Sequence, residues 1–353
     1  MIDLTRPPIF DGHNDVLTKL TKKKEPHPEQ FFLNGDSGHI DLPRSQKGGF
    51  AGGFFAIWVP SLADKSFRYE EMDKPTYDIA LPPQVEQRDA LKIVLSQSAC
   101  LFRLEREGAL TICRTAAELK STIKAGKIAA IFHIEGAEAI DPDFEALDMF
   151  YAAGLRSLGP VWSRPTIFAH GVPFRYPSTP DTGPGLTELG KQLVRICNQK
   201  RIMLDLSHIN ENGFWDIAKL SDSPLVATHS NAHSICPTAR NLTDKQLAAI
   251  KESDGMVGLN FAVAFLREDG RMKADTPIET MLRHIDHLID HLGEDLVGFG
   301  SDFDGAIVPN AIGDVSGLPN LRQAMRDHGY GEELMKKLCY KNWLRVLEKT
   351  WGT

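Results

Sequence analysis

The sequence has no Cys-x-x-Cys pair, no basic cluster interleaved with aromatic residues, and no apolar stretch approaching the roughly 20 residues that span a bilayer. Each absence removes a class of function. The five cysteines, Cys100, Cys113, Cys197, Cys236 and Cys339, stand at wide, irregular spacing, which suggests neither a disulfide framework nor a thiolate zinc site and points to a reducing cytoplasm. With a net charge of −7 and only Lys22-Lys23-Lys24 as a basic run, the chain is not built to hold nucleic acid. The opening Met1-Ile2-Asp3-Leu4-Thr5-Arg6 lacks a basic flank followed by an apolar segment, so neither a secretory signal nor a membrane partner is expected. No G-x-G-x-x-G follows the first apolar run, which disfavours an open dinucleotide-binding sheet.

What is present is a large α/β pattern. The chain has 353 residues, 42% of them hydrophobic, enough for one large barrel. Apolar runs at 8–10, 50–59, 128–134, 156–161, 202–206, 225–228, 256–261 and 296–300 alternate with helical candidates at 84–107, 144–153, 186–200, 211–220, 244–252 and 277–291. Eight strands exchanging with helices predict a (β/α)8 TIM-like barrel, one domain over 1–353, closed by a last helix at 332–349. The aromatics of 50–55 read as barrel core, and the polar, Pro-rich stretches 61–83 and 163–185 as excursions shaping the mouth.

Residues able to bind metal recur where these runs end. His13 and Asp15 follow the first, and their spacing of two places both side chains on one face of a strand. His133 and Glu135 follow the third, Asp205 and His208 the fifth, His229 the sixth, Asp302 and Asp304 the eighth. In a barrel all these ends open on one face. Imidazoles and carboxylates together suit zinc, and this many donors exceed what one tetrahedral ion needs but fit two ions bridged by a carboxylate. Glu135, preceded by an apolar run, is an expensive buried charge without a cation. His233 reads as structural and His133 as a support or an inward polar residue. The helically spaced His284, His287 and His291 read as a solvated helix face, because no strand-end carboxylate joins them.

Taken in order and spacing, the motifs Phe10-Asp11-Gly12-His13-Asn14-Asp15, Glu135-Gly136, Leu204-Asp205-Leu206-Ser207-His208, Thr228-His229-Ser230-Asn231 with Arg240-Asn241, Gly298 to Gly305, and Asn342-Trp343-Leu344-Arg345-Val346 make the chain resemble the membrane (renal) dipeptidase family of zinc metallopeptidases almost end to end. The resemblance implies that His13 and Asp15 hold one zinc, His208 and His229 the other, and Glu135 bridges them. It implies further that Asp302, rather than Asp304, handles protons, and that Arg240 receives the substrate's terminal carboxylate. A water shared by two zinc ions loses a proton near neutral pH and becomes the hydroxide that attacks a dipeptide's amide. The family also implies tolerance of a D-residue in second position and a homodimer. The sequence departs from the family after strand four, where Trp162 or Ser163 replaces a carbonyl-polarising histidine, leaving Arg164 or His170 as substitute donors. Asn260-Phe261-Ala262 replaces a substrate-contacting tyrosine. Two other readings stay open: a barrel amidohydrolase acting on N-acyl amino acids or β-lactams, and a metal-bearing binding protein without catalysis.

Overall fold

The computed structural model describes residues 7–35, 38–61 and 69–352; residues 1–6, expected to carry no secretory signal, and part of the 61–83 excursion lie outside them. The eight apolar runs all form strands: β1 (Ile9–Asn14), β2 (Phe50–Trp58), β3 (Ala129–Glu135), β4 (Leu155–Gly159), β5 (Met203–Leu204), β6 (Val226–Ala227), β7 (Met256–Asn260) and β8 (Val297–Gly300). They lie parallel in the order β5-β4-β3-β2-β1-β8-β7-β6, with a short strand Thr111–Ile112 beside β3. The β5–β6 seam is thin. There a single parallel bridge joins Asp205 to Val226, and the amide of Leu206 donates to the Val226 carbonyl at 2.8 Å. The result is a nearly closed barrel of TIM type.

Helices form where apolar spacing and caps agree. Helix Glu188–Lys200 starts at Thr187, Glu211–Leu220 at Asn210 and Asp244–Glu252 at Thr243, each cap's side-chain oxygen accepting an amide three residues on. Helix Ile278–Leu292 buries Met281, Leu282, Ile285, Leu288 and Leu292, the stripe expected of a helix lying on a sheet. Phe50 and Phe55 join the large core under the helices, whereas Phe54 belongs to a second cluster with Phe10, Ile131, Met203, Val226 and Met256.

The last segment closes that second cluster from below. Instead of one helix over 332–349, the chain makes Glu332–Lys336, a π-helical turn Lys337–Lys341 and Asn342–Trp351. A wider turn rephases the residues after it. Asn342 Nδ2 then donates to the carbonyls of Glu294 and Val297, both at 2.7 Å, and Trp343 Nε1 donates to the Phe299 carbonyl at 3.0 Å. Glycine is required opposite the indole, since a Cβ on Gly12 would lie 2.5 Å from Trp343 Cζ2. Replacing Trp343 by Phe removes that hydrogen bond and leaves a void. We expect a loss of about 1–3 kcal/mol in chemical denaturation with little change in KM, because the barrel mouth is untouched.

The two excursions meet. Tyr77–Ile79 pairs antiparallel with Phe174–Tyr176, so the described parts of both segments form one hairpin-like flap at the mouth. Neither strand was visible in the sequence, because three-residue pairings about a hundred positions apart leave no periodicity to read.

Candidate metal centre

Simple alternation on β1 does not by itself bring His13 and Asp15 together. Phe10 and Gly12 face the barrel interior, which would send His13 outward, but Asp11 pairs with Gly53 while Asn14 pairs with Phe55, an extra residue on β1. This bulge re-aims His13 inward. Asp15 lies beyond the strand as the N-cap of helix Val16–Thr21, and its Oδ2 comes to 3.4 Å from His13 Nε2. The amide of Asp302 donates to the His13 carbonyl at 3.0 Å and that of Asp15 to the Phe303 carbonyl at 2.8 Å, tying the ends of β1 and β8 together.

Three further donors meet beside them. Glu135 ends β3, and its Oε1 lies 3.1 Å from His208 Nε2 and 3.5 Å from His229 Nε2, whose own separation is 3.2 Å. Its other oxygen, Oε2, lies 3.7 Å from His13 Nε2. One carboxylate therefore faces two groups, His208 with His229, and His13 with Asp15 and Asp302. Ligands on a tetrahedral zinc sit about 3.4 Å from one another, so these spacings suit a cation between them. His208 and Asp302 both have positive φ, 68° and 57°, a left-handed conformation that costs free energy at a non-glycine residue and that packed surroundings must enforce.

The imidazoles are held by partners that the motif reading did not assign. His229 Nδ1 meets Thr228 Oγ1 at 2.8 Å, and that hydroxyl donates to Asp205 Oδ2 at 2.6 Å. With its one proton committed to Asp205, Thr228 accepts from His229, which leaves the lone pair of His229 on Nε2. Ser163 Oγ meets His208 Nδ1 at 2.9 Å. Asp205 also accepts the amides of Ser207 and Thr228 at 3.0 and 2.9 Å, which makes it a support for the ligands although it lies near His13 and His229. Its sequence signal was present in the strand-five motif, but only the fold shows which donors consume its oxygens.

Electrostatics points the same way. Both ring nitrogens of the buried His13 lack a hydrogen-bond partner among the described residues. Burial holds His208 and His229 well below the usual histidine range, the neutral form that binds metal. Burial likewise raises Glu135 well above the carboxylate range and lifts Asp302, a sign that the carboxylates need positive charge nearby. For His13, burial alone would lower the pKa, but Glu135, Asp15 and Asp302 outweigh it and raise it to about 10. A cation entering the His13–Asp15 half must displace a proton below that pH, whereas burial already holds the His208 and His229 imidazoles in their neutral form. Metal affinity of the first half is therefore expected to weaken about tenfold per unit as pH falls below that value. Stepwise dialysis with metal analysis checks this.

Arg240 is buried, with Nη1 on Ser230 Oγ at 2.9 Å and Nη2 on the His229 carbonyl at 2.8 Å. Its Nε has no hydrogen-bond partner among the described residues, and burial lowers its pKa to about 10 although Asp302, Glu135 and Asp205 oppose the shift. Asn260, in the place of the family tyrosine, donates from Nδ2 to Asp302 Oδ2 at 3.1 Å. Asp304 Oδ1 accepts the amide of His39 at 2.7 Å and so binds a neighbouring loop. Arg164 is not a spare donor: it is buried on Glu138 Oε1 at 2.8 Å, the Val59 carbonyl and Ser61 Oγ at 3.0 Å each. His170 points to the Gly185 carbonyl at 3.4 Å. Trp162 packs on Trp58 and Phe174 and stands 5.9 Å from the His208 ring, an aromatic wall at the mouth.

The remaining histidines divide. His133 meets Ser157 Oγ at 2.9 Å below the centre, and His233 meets the Ser178 carbonyl at 2.8 Å. The helix-face reading fails for His284, which is fully buried and bonded to the Leu266 carbonyl at 2.9 Å. His287 and His291 are joined by a carboxylate after all, that of Asp244 on the neighbouring helix, a partner that sequence spacing within one helix cannot supply.

A (β/α)8 barrel with this donor set at the carboxyl ends of its strands has the architecture of a metal-dependent hydrolase. Residues 4–351 match the sequence profile of the membrane dipeptidase family, peptidase family M19, and the chain belongs to that family. A crystal structure of a metallopeptidase from Rhodobacter sphaeroides, bound to a phosphinate mimic of the dipeptide L-Ala-D-Ala, is 57% identical with a TM-score of 0.96, covering 98% of this chain and 100% of that one. An uncharacterised protein from the pqqA 5′ region of Klebsiella pneumoniae is 48% identical over 265 residues, 74% of this chain and 98% of its own length. One from the PQQ-III 3′ region of Acinetobacter calcoaceticus is 43% identical over 289 residues, 81% of this chain and 90% of its own length.

Proposed function

We propose that the chain, a single domain over 1–353, is a zinc-dependent dipeptidase with two ions per chain, cleaving the peptide bond of L-Xaa-L-Xaa and L-Xaa-D-Xaa dipeptides. The observation that carries this reading is Glu135, whose two carboxylate oxygens face two separate groups of ligands. His13 and Asp15 would hold one ion, His208 and His229 the other, with Glu135 between. Bound there, zinc supplies the Lewis acidity that lowers the pKa of water and polarises an amide carbonyl. Asp302, held by Asn260, takes the proton from the attacking water and returns it to the leaving amine.

Arg240 gives the substrate its length. No carboxylate among the described residues pairs with this buried guanidinium, which leaves it to receive the free C-terminus of a dipeptide. Replacing Arg240 by Ala is expected to lower kcat/KM for dipeptides about 10²-fold through a higher KM, with little change for C-terminally amidated analogues. Trp162, in place of the family histidine, walls the substrate in rather than donating to its carbonyl. The dipeptide mimic bound by the Rhodobacter sphaeroides metallopeptidase supports the same substrate class, D-residue included.

The test is hydrolysis of L,L and L,D dipeptides by purified protein, abolished by a chelator and restored by zinc. Turnover of N-acyl amino acids or β-lactams without dipeptides would assign the barrel to another amide, and metal binding without turnover would leave a binding protein. We assign the chain to the cytoplasm, supported by five buried, unpaired cysteines, and expect a homodimer in sedimentation. No helix among the described residues is long and apolar enough to cross a membrane.

A further inference from the structure

His287 and His291 stand four residues apart on helix Ile278–Leu292, one turn, which puts both imidazoles on the same face. Their rings lie 4.1 Å apart. Across from them Asp244, in the first turn of helix Asp244–Glu252, presents one carboxylate oxygen to each ring: Oδ1 at 2.9 Å from His287 Nε2 and Oδ2 at 3.7 Å from His291 Nε2. These distances bracket the edge of about 3.4 Å expected between ligands of a tetrahedral ion, as those around Glu135 do. His291 Nδ1 bonds to the His287 carbonyl at 2.9 Å, which fixes its proton there and leaves the lone pair on Nε2, facing Asp244. Ser234 Oγ, 3.1 Å from His287 Nε2, adds a fourth polar side chain.

The geometry points to a second, peripheral metal site formed by Asp244, His287 and His291, for a borderline divalent ion such as zinc, nickel or cobalt. Two imidazoles and one carboxylate select those ions over calcium and magnesium, which prefer oxygen throughout. The side chains of His287, His291 and Asp244 are 19%, 35% and 48% exposed, so the ion exchanges with solvent and keeps a position open for water. Its place in the fold gives it a consequence. The chain between His229 and Asp244 carries Arg240, and it is already tied to helix Ile278–Leu292 where the Ala232 amide donates to His284 Nδ1 at 3.2 Å. A cation joining Asp244 to the same helix clamps this segment at a second point. The site acts as a staple rather than in the chemistry.

Holoenzyme is dialysed against zinc or nickel alone, and metal per chain is measured for the parent, His291→Ala, Asp244→Asn and His328→Ala. His328 pairs with Asp286 at 2.8 Å without a second histidine and serves as the control. The parent and the His328 variant are expected to bind one equivalent more than the other two. Added metal should raise the thermal midpoint only where that equivalent binds, while dipeptide turnover stays unchanged in His291→Ala. Equal metal content in the parent and His291→Ala overturns the site, and an extra equivalent retained by Asp244→Asn overturns the three-ligand assignment. Because each result is a difference between variants, it holds whatever the interior centre binds or catalyses.

Discussion

Replacing Glu135 by Gln is expected to lower kcat/KM for dipeptides by roughly 10³-fold or more, and to reduce bound metal at the same time. The substitution preserves volume, so the barrel folds. It exchanges one carboxylate oxygen for an amide nitrogen, which donates hydrogen bonds and does not ligate. Since Oε1 faces His208 and His229 while Oε2 faces His13, either orientation of the amide deprives one group of its shared ligand. The negative charge that burial makes so costly is lost as well, and with it the reason for the two proposed cations to sit close together. Losing several kcal/mol of transition-state stabilisation amounts to about three powers of ten in rate. Steady-state kinetics with metal analysis on the same sample decides it: more than a tenth of the parent rate at full metal content would exclude Glu135 as the bridge.

Asp302→Asn is expected to act differently. Asparagine still accepts from Asn260 Nδ2, so the local geometry is kept, but it cannot take a proton from water. A positioned proton carrier contributes about 10² to 10⁴ in rate, and the loss should fall on kcat with KM and metal content nearly unchanged. The pH profile supplies the sign. Asp302 must be ionised to accept a proton, so the parent loses activity as pH falls through a value that burial holds above the ordinary carboxylate range. The variant should be slow and flat over that limb. A variant that loses metal in proportion to activity would make Asp302 a ligand instead.

Much of this molecule could be read from its residues. All eight barrel strands were legible because each is a run of apolar residues that the helices must cover, and helices 211–220 and 244–252 because a cap precedes an amphipathic stretch in each. β5 and β6 proved shorter than their apolar runs: beyond Leu204 the pairing is reduced to single links such as the Asp205–Val226 bridge, while the Asp205 side chain bonds to Thr228. The five ligand candidates were visible as polar residues at strand ends. What could not be read is how they converge. The β1 bulge that turns His13 inward depends on pairing with β2, and the hydroxyls of Ser163 and Thr228 act on imidazoles 45 residues and one residue away, respectively. Asp244 and His287 lie 43 positions apart, so their pairing is equally silent in the sequence.

Anomalous diffraction at the zinc edge from crystals of the metal-loaded protein tests the central claim most directly. The account predicts two peaks at the barrel mouth, one among His13, Asp15 and Glu135 Oε2 and the other among His208, His229 and Glu135 Oε1. A single peak there, or a pair that Glu135 does not touch, would contradict it.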